Sequence, residues 1–218
     1  MSELEAELRA RDAFLATVAK KLQERVNALR LASPEAAAAA LHDIEGFVAE
    51  LSLVAHPEAP ITLPDEETCL VDAVVSALPL ARLAQAEVPV SVRREGTMRG
   101  RWSPPLVATV VGELLSNARK YSKGETIRLT LGAAEGHATL VVENVGVPAA
   151  LPPAPARFRR GETNPKIEGY GVGAYLVRRI AEAHGGTSGL EVAEGKTRAF
   201  VRVPFTGPEG PRLEVRVG

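Results

Sequence analysis

One predicted helix has an apolar side that must be covered, and this requirement limits the folds that the chain can adopt. The helix begins at Ser103-Pro104-Pro105, because serine caps a helix and proline suits its first turn. Leu106, Val110 and Leu114 then recur at helical spacing and define the buried side. A helix of this kind packs against another layer of structure.

The same helix carries a row of polar groups. Glu113, Asn117 and Lys120 lie three or four residues apart, so they share one face. Taken alone, this row is most simply a solvated surface. A carboxylate, an amide and a cation beside a core would also suit a ligand site, and motifs later in the chain favour that interpretation.

The composition excludes several classes of protein. The chain has 218 residues, of which 45% are hydrophobic and 24% charged, as in a globular domain with a smaller appendage. The net charge of -1 argues against a nucleic-acid partner or an anionic membrane surface. No apolar run approaches the ~20 residues of a membrane span. The single cysteine, Cys69, excludes an internal disulfide, so we expect a cytoplasmic protein.

The N-terminal region is predicted to be an antiparallel helical hairpin. Residues 3–31 have the apolar spacing of a heptad seam, which predicts one helix. Ser33-Pro34-Glu35 then begins a second helix that runs to about Val54. One hairpin cannot bury both apolar stripes, so we expect a second copy to complete a four-helix bundle, which makes the protein a homodimer. The stripe of the second helix consists of Leu41, Ile44, Val48 and Leu51, widened by Phe47.

Two prolines within residues 56–60 predict a linker, which divides the chain into a hairpin at 1–56, a second domain at 57–210 and a tail at 211–218. The second domain mixes strands and helices, which predicts an α+β fold with a mixed sheet covered by helices on one face. The tail either adds an edge strand or stays outside the sheet. The predicted elements are a helix at 66–85 capped by Asp65, strands at 90–94 and 98–102 joined at Glu95-Gly96, the helix from Ser103, a hairpin of strands 126–131 and 138–143, a helix ending at His184, and strands 188–192 and 197–205.

A long segment without periodicity, residues 147–168, separates the last two helices and is typical of a lid or binding loop. Its cations suit phosphate oxygens. Glycines then precede a helix, and a helix N-terminus binds phosphate through its free amides. Just upstream, a strand ends at Glu143-Asn144, where an acid or an amide can contact the edge of a base, and Gly146 lets a ligand come close. The cations are Arg157, Arg159, Arg160 and Lys166, and the glycines are Gly169, Gly171 and Gly173.

The order of these motifs resembles the ATP-binding domain of sensor histidine kinases, a branch of the GHKL ATPases. The resemblance covers about residues 60–206. It consists of Glu-Leu-Leu-x-Asn-Ala-x-Lys-Tyr-Ser from Glu113, Val-x-Asn-x-Gly from Val142, Arg-Phe-x-Arg-Gly from Arg157, Gly-x-Gly-x-Gly from Gly169, and Ala-His-Gly-Gly from Ala183.

The resemblance implies ATP and Mg²⁺ as ligands and a role for each matching residue. Asn117 would hold Mg²⁺, Glu113 would polarise a nucleophile or water, and Asn144 stands where the family has an adenine-binding aspartate. His184 matches a structural position at a helix end. The remaining implied contacts are Lys120 to phosphate, Tyr121 in the nucleotide pocket, Arg157, Phe158, Arg159 and Arg160 in the lid, and Gly169, Gly171 and Gly173 around the phosphates.

The hairpin departs from the family pattern. Residues 14–22 resemble the phosphoacceptor box Phe-Leu-Ala-x-Val-Ser-His-Glu-Leu, but Lys20 and Lys21 replace its histidine and glutamate. A lysine is protonated near neutral pH, so it cannot accept the phosphoryl group. His42, which precedes Asp43, is the alternative acceptor in the hairpin, although it also fits an ordinary surface histidine.

These observations favour an atypical, soluble histidine-kinase-like ATPase that phosphorylates His42 and passes the group to an aspartate of a response regulator. A catalytically degenerate pseudokinase that docks a response regulator is the first alternative. A serine kinase that restrains sigma factors is the second, and it is disfavoured because such kinases lack a dimerising hairpin.

Overall fold

The computed structural model describes residues 3–83, 90–95, 98–122, 125–147, 172–205 and 212–216. The helices are α1 (Glu3–Leu31), α2 (Pro34–Ala55), α3 (Leu70–Leu83), α4 (Pro104–Tyr121) and α5 (Gly173–Ala183). The strands are β1 (Thr68–Cys69), β2 (Val90–Glu95), β3 (Arg99–Gly100), β4 (Ile127–Ala134), β5 (His137–Val145), β6 (Thr187–Ala193), β7 (Lys196–Pro204) and β8 (Arg212–Arg216).

The main sheet has six strands in the order β6-β7-β5-β4-β2-β8. Strands β2 and β4 are parallel and the other neighbours are antiparallel, so the sheet is mixed as predicted. Along β4, Ile127, Leu129 and Leu131 are fully buried and share one core with α3, α4 and α5. This packing confirms the α+β fold, and β8 shows that the tail adds an edge strand.

Within the described parts of the chain, no helix combines the length and the apolar character that crossing a membrane requires.

The prediction that residues 90–94 and 98–102 pair with each other is wrong. Strand β2 pairs with β4 and β8, whereas β3 pairs with β1 in a separate two-stranded sheet. The reason is the burial of Met98 and Trp102, which are 0% and 2% exposed. Because these two side chains enter the core under the helices, the segment between them leaves the main sheet.

The predicted start of α3 is also wrong. Thr68 and Cys69 are extended and pair with β3, so the helix begins at Leu70 rather than at residue 66. Asp65 does not cap it, since its carboxylate accepts a hydrogen bond from Nη2 of Arg101 at 2.7 Å.

Serines precede two other helices with different results. Ser33 caps α2 as predicted, because its hydroxyl accepts from the backbone N–H of Ala36. Ser103 occupies the cap position of α4 but its side chain makes no capping bond. Its backbone N–H donates instead to Nε2 of His184 at 3.3 Å.

His184 has the structural role that was predicted for it. Its ring is buried, stacks on Trp102 with centroids 5.8 Å apart, and donates from Nδ1 to the carbonyl of Ile180 at 2.7 Å. Burial lowers the pKa of His184, so the imidazole stays neutral and joins the end of α5 to the start of α4.

The hairpin of α1 and α2 packs on the rest of the chain through α2, which contacts α4 and α5. Of the predicted stripe of α2, Phe47 is buried within this single copy of the chain, together with Val54. Phe47 and Val54 are 6% and 4% exposed, whereas Leu41 and Val48 are each 49% exposed. The apolar surface of α2 is therefore divided between a covered face and an open one.

Arg179 of α5 fastens the end of the hairpin. Its Nη1 donates to the carbonyls of Leu53 at 2.8 Å and His56 at 3.0 Å, and its Nη2 donates to the carbonyl of Ala59 at 2.6 Å. The last carbonyls of a helix have no partner within the helix, so a cation placed there satisfies them and also favours the negative end of the helix. One side chain thus joins α2 and the linker to α5.

Replacing Arg179 should destabilise the folded chain, because it removes the hydrogen bonds that hold the end of the hairpin on α5. We expect Arg179→Ala to lower the free energy of unfolding by about 2 kcal/mol, the scale of hydrogen bonds made by a charged group. Chemical denaturation measures this loss.

The neighbouring Arg178→Ala is the matched control, because within the described residues Arg178 pairs with Glu182 of its own helix at 3.8 Å and lies over the ring of Tyr175. It should change the free energy of unfolding by about 0.5 kcal/mol or less. Equal losses in the two variants would contradict the role of Arg179.

Candidate active site

Helix α4 presents the predicted polar row beside its buried side. Leu106, Val110 and Leu114 are 9%, 4% and 3% exposed, which confirms the side that the spacing predicted to be buried. Glu113 and Asn117 are half-buried on the neighbouring face. The site therefore begins with a carboxylate and an amide one helical turn apart at the edge of the core.

The N-terminus of α5 lies directly against this carboxylate. A Cβ atom at Gly173 would overlap Oε2 of Glu113, so any other residue here would require the Glu113 side chain to move. Val172, which precedes the helix, makes no side-chain cap. The first N–H groups of a helix lack partners within it and favour an anion. A phosphate placed here would lie beside Glu113.

Gly146 joins the end of β5 to the end of α4. Its φ of +126° is a conformation that side chains rarely permit, and a Cβ atom there would overlap the carbonyl oxygen of Tyr121. Its N–H donates to the carbonyl of Gly195 at 2.9 Å, and its carbonyl accepts from Oγ1 of Thr197 at 2.7 Å. These contacts fix where β5, α4 and the β6–β7 turn meet.

Asn144 supplies a buried polar group next to this junction. Asn144 is 3% exposed, and its Nδ2 has no hydrogen-bond partner among the described residues. That atom lies 3.6 Å from the position a Cβ of Gly146 would occupy. A buried donor without a partner is costly, so the amide suits a ligand that accepts a hydrogen bond.

Glu143 takes no part in this site. It points to the opposite face of the sheet, where its carboxylate pairs with Arg198 at 2.6 Å, Arg128 at 3.2 Å and Lys196 at 3.3 Å. Because neighbouring residues of a strand face opposite ways, only one of the Glu143-Asn144 pair can face the helices. The structure selects Asn144.

Of the remaining predicted site residues, some lie on described helices and others lie outside the described part of the chain. Lys120 and Tyr121 are the last two residues of α4, and the carbonyl of Tyr121 lies against Gly146. His42 lies within α2, and its side chain is outside the described part of the chain. The predicted contacts that lie outside the described residues are Arg157, Phe158, Arg159, Arg160, Gly169 and Gly171.

Sequence reasoning missed Glu50 of α2, which lies near Glu113 and forms a hydrogen bond with Thr109. Burial, and after it the negative charge of Glu113, raises the pKa of Glu50 to about 7. The hydrogen bond with Thr109 and the cations Arg25 and Lys21 act in the opposite direction.

A signal for Glu50 was present in the spacing of α2. Glu50 follows Phe47 by three residues and precedes Val54 by four, and both of these are buried. It therefore lies on the covered face of the helix, in the middle of an apolar row.

Residues 103–207 match the model of the family described as histidine kinase-, DNA gyrase B- and HSP90-like ATPases. This segment belongs to that family. Its members bind ATP, and the site assembled around α4 lies within the segment. The resemblance to the ATP-binding domain of sensor histidine kinases is thereby confirmed.

Curated relatives are sensor kinases. Sensor protein kinase CarS of Pseudomonas aeruginosa is 36% identical over 111 residues, which cover 50% of this chain and 24% of CarS. Sensor histidine kinase GtrS of the same organism is 33% identical over 129 residues, covering 58% of this chain and 26% of GtrS. The chain thus matches about a quarter of the length of these relatives.

Solved structures show the same fold. The mycobacterial sensor histidine kinase MprB superposes with a TM-score of 0.55 at 22% identity, covering 67% of this chain and 98% of that one. Full-length ShkA, solved in complex with AMPPNP, superposes with a TM-score of 0.58 at 15% identity, covering 97% of this chain and 48% of that one.

A substitution at Gly146 should disrupt the ATPase domain more than a substitution at another glycine of positive φ. We expect Gly146→Ala to lower the free energy of unfolding by about 3 kcal/mol, because it adds a clash with the Tyr121 carbonyl to the backbone strain. Denaturant titration measures the loss.

Gly136→Ala is the control that measures the backbone strain at positive φ without a steric clash. Gly136 has a φ of +72° but no atom lies within 4 Å of the position of its Cβ. Its replacement should cost about 1 kcal/mol. Similar losses at both positions would show that the contact with α4 is unimportant.

Proposed function

We propose that the chain is a histidine-kinase-like ATPase of two-component signalling, with Mg-ATP bound between α4, α5 and the end of β5. The observation that carries this proposal is the buried, unpartnered amide of Asn144 beside Gly146. An asparagine amide offers one donor and one acceptor, which complement the acceptor and donor on the edge of adenine. An amide therefore suits this base even though the family resemblance implies an aspartate here.

The phosphates of ATP would then extend from Asn144 toward the polar side of α4. Asn117 would hold Mg²⁺ through its amide oxygen, and Lys120 would contact a phosphate oxygen. Mg²⁺, when bound, bridges phosphate oxygens and neutralises their charge. The first amides of α5, at Gly173, would receive a phosphate beside Glu113.

Tyr121, together with residues outside the described part of the chain, would complete the site. Tyr121 would line the nucleotide pocket, since its backbone contacts Gly146. We propose that the cationic segment closes over the phosphates as a lid and that the glycines preceding α5 wrap them. These contacts would come from Arg157, Phe158, Arg159, Arg160, Gly169 and Gly171.

Glu113 is the proposed catalytic carboxylate. It is half-buried and lies against the amides where a terminal phosphate would be held. A carboxylate in this position can accept the proton of an attacking imidazole or water and orient it in line with the leaving group. The protein's contribution to catalysis is then mainly positioning and charge.

His42 is the proposed phosphoacceptor, and an aspartate of a response regulator is the proposed final acceptor. Lys20 stands where the resemblance places the acceptor histidine, and a protonated lysine cannot replace it. His42 lies on α2, the helix that packs on α4. Since ATP is the substrate, we expect the chain to work in the cytoplasm.

A second copy of the chain would cover the apolar side chains that a single hairpin leaves exposed. Large apolar side chains on the open side of α1 and α2 remain exposed, with exposed fractions between 40% and 55% for Leu8, Leu15, Leu41 and Val48. Burial of these side chains would contribute about 25 cal/mol for each Å² removed from water. We therefore propose a homodimer that pairs two hairpins as a four-helix bundle.

A docking module without kinase activity is the rival function. The observation that favours it is the pair Lys20 and Lys21 in the phosphoacceptor box. In that case the hairpin binds a response regulator and the ATPase domain serves as a scaffold or a sensor of nucleotide.

Calorimetry with Mg-ATP tests the nucleotide site. We expect the wild-type chain to bind, and Asn117→Ala to weaken binding at least tenfold, about 1.4 kcal/mol, because the metal ligand is lost. Ser116→Ala, its neighbour on α4, is the control and should bind as wild type does. Absence of heat for the wild type at millimolar Mg-ATP would overturn the proposed site.

Labelling with γ-phosphate-labelled ATP distinguishes the functions. Acid-labile label that disappears in His42→Ala and persists in His56→Ala is the result expected for the kinase. Acid-stable label would support transfer to serine. Binding of Mg-ATP without any label would support the docking module.

A further inference from the structure

Glu50 of α2 is a largely buried carboxylate at the interface between the hairpin and the ATPase domain. Two elements present charged or polar groups to it. Helix α4 presents Thr109 and Glu113, and α1 presents Lys21 and Arg25. Of these groups, Glu113 repels an ionised Glu50, whereas the two cations attract it.

Lys21 and Arg25 offset little of the free-energy cost of ionising Glu50. Lys21 is exposed to solvent, so water and salt screen its charge. Arg25 places its guanidinium 4.3 Å from the centre of the Phe47 ring and donates from Nη1 to the carbonyl of Lys21 at 3.5 Å. Its position is therefore set by contacts within the hairpin as well as by Glu50.

The hydrogen bond with Thr109 lowers the pKa of Glu50 and so favours the ionised form, but burial and the charge of Glu113 outweigh it. The Thr109 hydroxyl is not fully available for this bond. It has one hydrogen, and its Oγ1 lies 3.2 Å from the carbonyl of Pro105, to which it donates. While that bond is formed, the oxygen can only accept. A protonated Glu50 can donate to it, whereas an ionised Glu50 cannot. The hydroxyl must then leave Pro105 or Glu50 must lose its partner.

We propose that Glu50 is a proton-dependent latch that holds α2 against α4 when it is protonated and loosens the hairpin when it ionises opposite Glu113. The proposal rests on the proposed function only in naming Glu113 as the catalytic carboxylate. Its consequence is that proton loss exposes the face of α4 that carries Glu113, which links access to the proposed active site to pH. Arg179 holds the far end of α2 independently of pH, so the latch opens one end of the contact.

The direction of the effect follows from the pKa of Glu50. Because this pKa is raised from 4.5 to about 7, the folded chain binds the proton more tightly than the unfolded chain does. The stabilisation is complete below pH 4.5 and is lost as pH rises through about 7. Docking of α2 should therefore weaken between pH 6 and pH 8.

Carboxyl carbon NMR of the full chain without nucleotide tests the latch directly. We expect the Glu50 signal to titrate with a midpoint near 7. Glu113→Gln should lower that midpoint by about one pH unit, since it removes the repelling charge. Glu45→Gln, an exposed carboxylate of the same helix, is the control and should leave the midpoint unchanged. A Glu50 midpoint near 4.5 in the wild type would overturn the proposal.

Hydrogen exchange of the α2 amides, corrected for the intrinsic effect of pH, tests the consequence. Protection should fall about tenfold between pH 6 and pH 8 in the wild type and stay constant in Glu50→Gln. Arg179→Ala should reduce protection at both pH values. The same pH dependence in wild type and Glu50→Gln would overturn the latch. Because no nucleotide is present, these results do not depend on whether calorimetry detects Mg-ATP.

Discussion

The site depends on the close approach of backbone to the polar side of α4. The apolar side of this helix is buried against the sheet, and that packing leaves Glu113 and Asn117 at the edge of the core. Two glycines then bring other segments against it. Gly173 places the N-terminus of α5 on Glu113, and Gly146 places the end of β5 on the carbonyl of Tyr121. The two approaches place the end of β5 and the N-terminus of α5 beside the same helix.

The hairpin is joined to the rest of the chain by packing as well as by the linker, because α2 contacts α4 and α5. Arg179 of α5 satisfies carbonyls at the end of α2, and Glu50 meets α4 at Thr109 and close to Glu113. The two contacts differ in kind. The guanidinium stays charged at any physiological pH, whereas the carboxyl changes charge near neutrality. Part of the interface is therefore permanent and part responds to protons.

Several elements were predictable because their signals are local. The helix α1, the Ser33 cap, the apolar side of α4 and the alternation of β4 each depend on neighbouring residues, and the structure confirms them. Other predictions were wrong because distant contacts override local preference. Residues 98–102 leave the main sheet because Met98 and Trp102 enter the core, and α3 starts late because Thr68 and Cys69 pair with β3.

The sequence by itself determined the α+β class, the helical hairpin and the order of motifs that placed Glu113, Asn117 and the glycines in one family pattern. The residue types alone left open whether Glu143 or Asn144 serves the site, because both end the same strand, and the family resemblance pointed to Asn144. Only the tertiary structure shows the physical reason, since the helices cover the side of the sheet that Asn144 faces and leave Glu143 among cations on the open face. The tertiary structure alone also brought Glu50 to Glu113, because their proximity depends on how two separate units pack and not on any spacing along the chain.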